Sequence, residues 1–230
     1  AARRNKKAIE QQDLYDAIEK VMLGPERKGR SISKTEREIT AYHEGGHALV
    51  ASSLRDADPV HKVSIVSRGL AGGYTMKLPL EERSLRTRNQ FLTDLAVTLG
   101  GYAAEKLIFG DLSTGASQDL KEATHLARKL VTKFGMSELL GPQTFGKTEE
   151  MMFLGREITT ERDYSEETAK KIDAEVHAFI DRAHKAAIQI LTKNKKALKG
   201  IADALLDKET LEQEEFNAIL RPFKIKPVGM

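Results

Sequence analysis

The chain has 230 residues, 40% hydrophobic and 31% charged, with 37 basic and 34 acidic side chains and a formal net charge of +3. This balance describes a folded, well-solvated polypeptide rather than a disordered tract, and the near-even charge supplies no field that would draw the chain to nucleic acid. Cysteine is absent, which excludes disulfide scaffolds, thiol nucleophiles, iron–sulfur clusters and thiolate zinc sites, and leaves any chemistry to His, carboxylates and hydroxyls.

Along the chain, Leu14, Ile18, Val21 and Met22 lie at helical spacing behind Asp13 as an N-cap, and Gly24-Pro25 stops the helix. The charged stretch of residues 26–30 is a connector, and a domain boundary is expected there, between residues 27 and 28. Ser33-Lys-Thr-Glu36 matches a capping box and predicts a helix running to about Leu54, with Ile39, Ala41, Tyr42, Ala48, Leu49 and Val50 on its apolar face. Residues 63–66 and 74–78 alternate in polarity around a glycine-rich turn, which predicts a small antiparallel β unit. Helical periodicity returns through Phe91, Leu92, Leu95, Ala96 and Leu99 and again over 103–109, with Gly100-Gly101 marking a break or a close helix contact.

A loop over 113–117 leads to a helix over 119–134, and residues 141–163 read as irregular or as a hairpin. Ser165 opens the longest helix, with Ile172, Val176, Phe179, Ile180, Ala183, Ala187, Ile190 and Leu191 inward and an end near Asn194. Two shorter helices follow, the second capped by Thr210-Leu-Glu-Gln213, and the tail from Arg221 is expected to be loose. The predicted fold class is mainly α, a helical domain with a small antiparallel β unit near the helix of residues 33–54.

That helix contains His43-Glu44-Gly45-Gly46-His47. Two imidazoles at i and i+4 share a face and can reach one tetrahedral zinc, while the intervening Glu can act as a general base towards a water the metal has acidified. The plainer reading is two surface histidines on a helix. Two glycines inside a helix cost roughly 1 kcal/mol each relative to Ala, so they point to a close approach by another backbone or a substrate and argue against that plainer reading. A third ligand must lie elsewhere, because Val50 and Ser53 stand where a longer pattern of this type would place Gly and His. Candidates are Glu105, Asp119 and the histidines at 61, 125, 177 and 184. Asp119 has the attraction of a helix N-terminus, whose positive dipole end favours an ionised carboxylate. Glu122 and His125 read as a surface pair, His177 and His184 as facing solvent or a neighbouring helix, and His61 as opening a strand.

His43-Glu-Gly-Gly-His47-Ala, Gly73-Tyr-Thr-Met, Gly100-Gly-x-Ala-Ala-Glu105, Ser113-Thr-Gly-Ala-Ser-x-Asp119-Leu and Phe134-Gly-Met-Ser-Glu-x-Leu-Gly141, in this order, resemble the protease part of the FtsH family of membrane-anchored, ATP-dependent zinc proteases. The resemblance covers essentially the whole chain; Gln118 and Tyr102 depart from common family residues, and neither position is a ligand. It implies a helical zinc metalloendopeptidase of protein quality control that forms a homo-hexameric ring and binds one Zn2+ per chain. His43, His47 and Asp119 would ligate the metal, Glu44 would be the catalytic base and Glu105 would steady a ligand histidine.

Residues 1–27 resemble the last helix of the family's AAA ATPase module, which leaves 28–230 as the metallopeptidase domain. No Walker loop is present, so ATP would be used by the full-length protein and not bound by this fragment. Gly73, Tyr74, Thr75 and Met76 are candidate substrate-binding residues, a strand edge able to hold an extended polypeptide by main-chain hydrogen bonds; the plainer reading is a hairpin packed on the core. The fragment is expected to be soluble and free of membrane contact, since an uncharged stretch such as 95–104 falls far short of the roughly 20 apolar residues of a membrane helix. The full-length protein is expected to be membrane-anchored, with this domain on the cytoplasmic, matrix or stromal side. Two alternatives stay open: a non-catalytic oligomerisation or adaptor domain with a degenerate metal site, and a zinc site in which Glu105 is the third ligand.

Overall fold

The computed structural model describes residues 7–24, 33–68, 72–79, 84–146 and 163–230. The expected domain boundary, and most of the segment read as irregular or a hairpin, lie outside the described residues.

Helix α2 (Lys34–Ser53) runs through the middle of the domain. The Ser33 hydroxyl accepts from the Glu36 backbone N–H at 3.1 Å, satisfying one of the donors that every helix start leaves open. From Ala41 to Ala51 the helix is buried all round, so it behaves as a core element and not as an amphipathic surface helix. Its two glycines face different neighbours. Gly45 lies against Leu198 and Ile201 of α7 (Lys195–Lys208), and Gly46 lies against Gly100 and Ala104 of α4 (Gly100–Phe109).

The break expected at the glycine pair is real. α3 (Arg88–Thr98) ends at Leu99, whose φ −84° and ψ 0° redirect the chain into α4, and α4 stops at Gly110 in the left-handed region. A 3-10 turn, Thr114–Ala116, then feeds α5 (Ser117–Thr132). The longest helix, α6 (Glu166–Lys193), starts at the expected Ser165 cap and packs across α3, α4 and α5. Leu95, Leu99, Leu130, Leu191, Leu198 and Ile201 are fully enclosed in the core between these helices and α7, and each such side chain contributes about 1.5–3 kcal/mol when removed from water.

The mainly α class with a small antiparallel sheet is the observed one, but the sheet is larger than expected. β1 (Val60–Ser64) pairs with β2 (Tyr74–Lys77) on one side and β3 (Thr210–Glu212) on the other, giving the order β2-β1-β3. Thr210 is therefore no helix cap: it pairs with Ser64, and Glu212 and Glu215 form the capping box of α8 (Gln213–Leu220) instead. β1 starts three residues earlier than its apolar alternation implied, so His61 lies inside the strand, its ring 5.0 Å from Tyr15 of α1 (Gln11–Leu23). Asp13, read as the cap of α1, occupies the third helical position and completes a box with Glu10. The C-terminal segment is not loose either. The Arg55 N–H donates to the Val228 carbonyl at 2.9 Å and the Val228 N–H to the Ser53 carbonyl at 3.0 Å, which seats the tail on the end of α2. Among the described residues no helix is long and apolar enough to cross a membrane.

Candidate active site

His43, Glu44 and His47 lie on the buried half of α2. The two imidazoles stand one turn apart with Nε2 to Nε2 at 3.0 Å and ring planes inclined by 77°. Their other nitrogens are both engaged. His47 Nδ1 is 2.7 Å from the carbonyl oxygen of Val97, and His43 Nδ1 is 2.7 Å from Glu105 Oε1. A carbonyl oxygen and a carboxylate only accept, so each ring donates from Nδ1 and, when neutral, turns the lone pair of Nε2 towards its neighbour. Asp119 Oδ2 completes the triangle at 3.0 Å from His43 Nε2 and 3.4 Å from His47 Nε2. It is sealed from solvent and, despite these distances, makes no hydrogen bond of good geometry.

Four helices, α2 to α5, bring these atoms together. α4 approaches α2 so closely that a Cβ on Gly46 would stand 2.5 Å from the Gly100 carbonyl oxygen. A Cβ on Gly101 would stand 2.4 Å from Nε2 of His43 and 2.6 Å from Nε2 of His47. Only glycine leaves the space between the rings open. α4 also carries Glu105, 2% exposed, whose Oε2 accepts from the Ser113 backbone N–H at 2.7 Å. The same carboxylate thereby fixes His43 and the loop that delivers Asp119 in the first turn of α5. Glu105 meets His43 on the Nδ1 side, away from the shared point of the two Nε2 atoms.

Three carboxylates, Glu44, Glu105 and Asp119, surround the two rings. Burial by itself would lower the His43 imidazole, but its contacts with Asp119 and Glu105, aided by the charge of Glu44, lift it to about 10. Burial would likewise raise both acids, yet the histidines hold Asp119 well below the usual carboxylate range, and His43 with the Ser113 N–H lowers Glu105. The centre favours positive charge. Tetrahedral zinc with bonds of about 2.0–2.1 Å separates its ligand atoms by about 3.3 Å. The three donor atoms of His43, His47 and Asp119 are 3.0, 3.0 and 3.4 Å apart. They form the one group of this kind among the described residues, and their nitrogen, nitrogen, oxygen set suits zinc.

Of the other histidines, His125 and His177 are exposed and His184 packs edge-on to Tyr102 at 5.4 Å, so none joins the cluster. Glu44 faces the sheet. Its Oε2 accepts from the Thr75 hydroxyl of β2 at 2.8 Å, and a Cβ on Gly73 would press on its Cγ at 2.9 Å. Tyr74 is buried beside Arg68, whereas Met76 is half-buried on the strand. β2 is an edge of the sheet among the described residues. Sequence reasoning did not identify the Val97 carbonyl, the Ser113 N–H or the role of Gly101. The first two are main-chain groups without a side-chain signature; the glycine pair was the one available sign of the third.

A buried His-Glu-x-x-His helix whose rings meet a distant carboxylate is the arrangement of a metallopeptidase centre. The chain belongs to peptidase family M41, which matches residues 30–219. Its relatives include the "ATP-dependent zinc metalloprotease FtsH 1" of Thermomicrobium roseum, 53% identical over 99% of this chain and 35% of that protein. The protein of the same name from Sphaerobacter thermophilus is 51% identical over the same shares. The "ATP-dependent zinc metalloprotease FtsH" of Veillonella parvula is 51% identical over 92% of this chain and 33% of its own length. The chain spans about a third of the length of the curated relatives it matches.

Proposed function

We propose that this chain is the zinc endopeptidase unit of an ATP-dependent protease, with His43, His47 and Asp119 holding one Zn2+ and Glu44 as the catalytic base. The observation that carries the reading is the convergence of three donor atoms, two of them on rings already committed at Nδ1 and the third on the Asp119 carboxylate. When bound, zinc supplies Lewis acidity, which acidifies an attacking water and polarises the scissile carbonyl. Glu44 takes the proton of that water at its carboxylate and returns it to the leaving amide nitrogen. Glu105 and the Val97 carbonyl hold the two rings in the tautomer that keeps Nε2 free for the metal.

The outer edge of β2, over Gly73, Tyr74, Thr75 and Met76, receives the polypeptide as an added strand. Main-chain pairing reads little sequence, which suits a protease of unfolded or membrane proteins. The names of the relatives, and the two thirds of their length beyond this chain, support an ATPase module on the same full-length polypeptide that delivers substrate, with residues 1–27 as its last helix and 28–230 as the peptidase. The homo-hexameric ring, the membrane anchor and a cytoplasmic, matrix or stromal position rest on the resemblance to FtsH.

Metal analysis and hydrolysis of a fluorogenic peptide, with and without chelator, test the reading. One zinc per chain is expected, with activity lost on chelation and restored by zinc; Glu44→Gln should keep the metal and lose hydrolysis. An active Glu44→Gln protein, or activity indifferent to chelation, refutes it.

A further inference from the structure

The side chain of Thr75 does not open towards a bound strand; it turns inward onto α2. Its hydroxyl lies 2.8 Å from Glu44 Oε2 and 3.1 Å from the Glu44 carbonyl oxygen. We infer that Thr75 is a positioning residue for the Glu44 base, a role that rests on the function proposed above: its hydroxyl holds one carboxylate oxygen so that the other faces the reacting water. A hydroxyl has one proton, so it serves one of these acceptors at a time. The shorter contact is to the carboxylate, and a charge-assisted bond of this kind is the stronger one. Oε1 has no hydrogen-bond partner among the described residues, so the carboxylate is held at one end and free at the other.

The backbone supports the same role. At Gly73, the residue just before β2, the chain comes so near α2 that a Cβ there would stand 2.9 Å from both Glu44 Cγ and Thr40 Cγ2, and 2.7 Å from the Ser64 carbonyl oxygen of β1. Thr75 and Gly73 lie two residues apart and so share a face of the strand. That face clamps the stem and the head of Glu44. Because Thr75 pairs with Val63 of the central strand β1, the clamp is anchored independently of the metal. The strand that receives substrate also fixes the base, so docking and proton transfer share one rigid element. When Glu44 takes up a proton, the hydroxyl can turn to the Glu44 carbonyl and remain satisfied, so the cycle leaves no buried donor without a partner.

The test uses the full-length, zinc-loaded protein and a fluorogenic peptide as substrate. Thr75→Val keeps the shape and removes the donor; Thr75→Ser restores it. Loss of one hydrogen bond to a charged group is expected to lower kcat about 10- to 100-fold in Thr75→Val, with KM within about twofold of wild type, and Thr75→Ser should recover most of kcat. Zinc content and Tm should match wild type in both, and a crystal structure of Thr75→Val should show the Glu44 carboxylate displaced. Unchanged kcat in Thr75→Val, a raised KM with kcat intact, loss of zinc, or failure of Thr75→Ser to rescue would each overturn the assignment. A wild-type protein without zinc-dependent hydrolysis would instead refute the proposed function, and the Glu44 displacement would then be the remaining readout of the clamp.

Discussion

Gly101→Ala tests the construction of the site without touching a donor atom. The added methyl would sit 2.4 Å from Cε1 and Nε2 of His43 and 2.6 Å from Nε2 of His47, where an ordinary contact is about 3.5 Å. Relief requires about 1 Å of movement. Retreat of α4 is opposed by α6, which also packs on it, and would undo the backbone contact between Gly46 and Gly100. The rings must therefore part, by roughly five times the ±0.2 Å that metal–ligand distances tolerate. Even disturbing a group behind a ligand costs 10- to 100-fold in affinity, so zinc affinity should fall by at least about 100-fold, or about 2.7 kcal/mol. Folding should suffer less: overpacking costs about 1–3 kcal/mol, while Ala recovers up to about 1 kcal/mol of helix propensity. Competition against a calibrated chelator gives the affinity, and circular dichroism reports the fold. A folded Gly101→Ala protein with wild-type zinc affinity would refute the claim that α4 and the ring nitrogens contend for one space.

Glu105→Gln removes the charge behind His43 while keeping its shape, and should weaken zinc about 10- to 100-fold; Asp119→Ala should leave the site empty at any practical zinc concentration, and both are read by metal analysis after dialysis. In the metal-free protein the His43 imidazole lies near 10 against 6.5 when unfolded, so its contribution to stability is complete below about pH 6.5 and is lost as pH climbs towards 10. The urea midpoint of the metal-free protein should fall across that window, and that of the zinc-loaded protein should not, since a ligated ring carries no proton on Nε2 to lose. Leu198→Ala, which empties a fully buried position beside Gly45, should cost about 2–5 kcal/mol in urea unfolding.

What was readable in the sequence were features whose signal is local. Ser33 and Ser165 stand at the starts of α2 and α6 as their cap chemistry implied, and the glycine pair at 100 and 101 marked both a break and a contact. β3 was misread because Thr210-Leu-Glu-Gln carries a plausible cap pattern, and its pairing with β1 spans most of the chain and leaves no local trace. The tail was misread for the same reason: Val228 is ordered by main-chain bonds to residues 53 and 55. At the site, the i, i+4 spacing of His43 and His47 gave a shared face, but spacing alone left Glu105 and Asp119 as rivals. Their places, one behind a ring and one between the rings, depend on how α4 and α5 cross α2.

The donors of the site lie far apart along the chain: two belong to α2, and the third follows roughly 70 residues later on α5. A metal gripping all three would close that stretch into a loop, a removable cross-link in a polypeptide that has no cysteine to form a permanent one. On the loop-entropy scale, such a closure removes about 4 kcal/mol of freedom from the unfolded chain, comparable to a disulfide. The ion that supplies the chemistry would thus also hold α2 and α5 together, and chelation would weaken the domain as a body while silencing its active site.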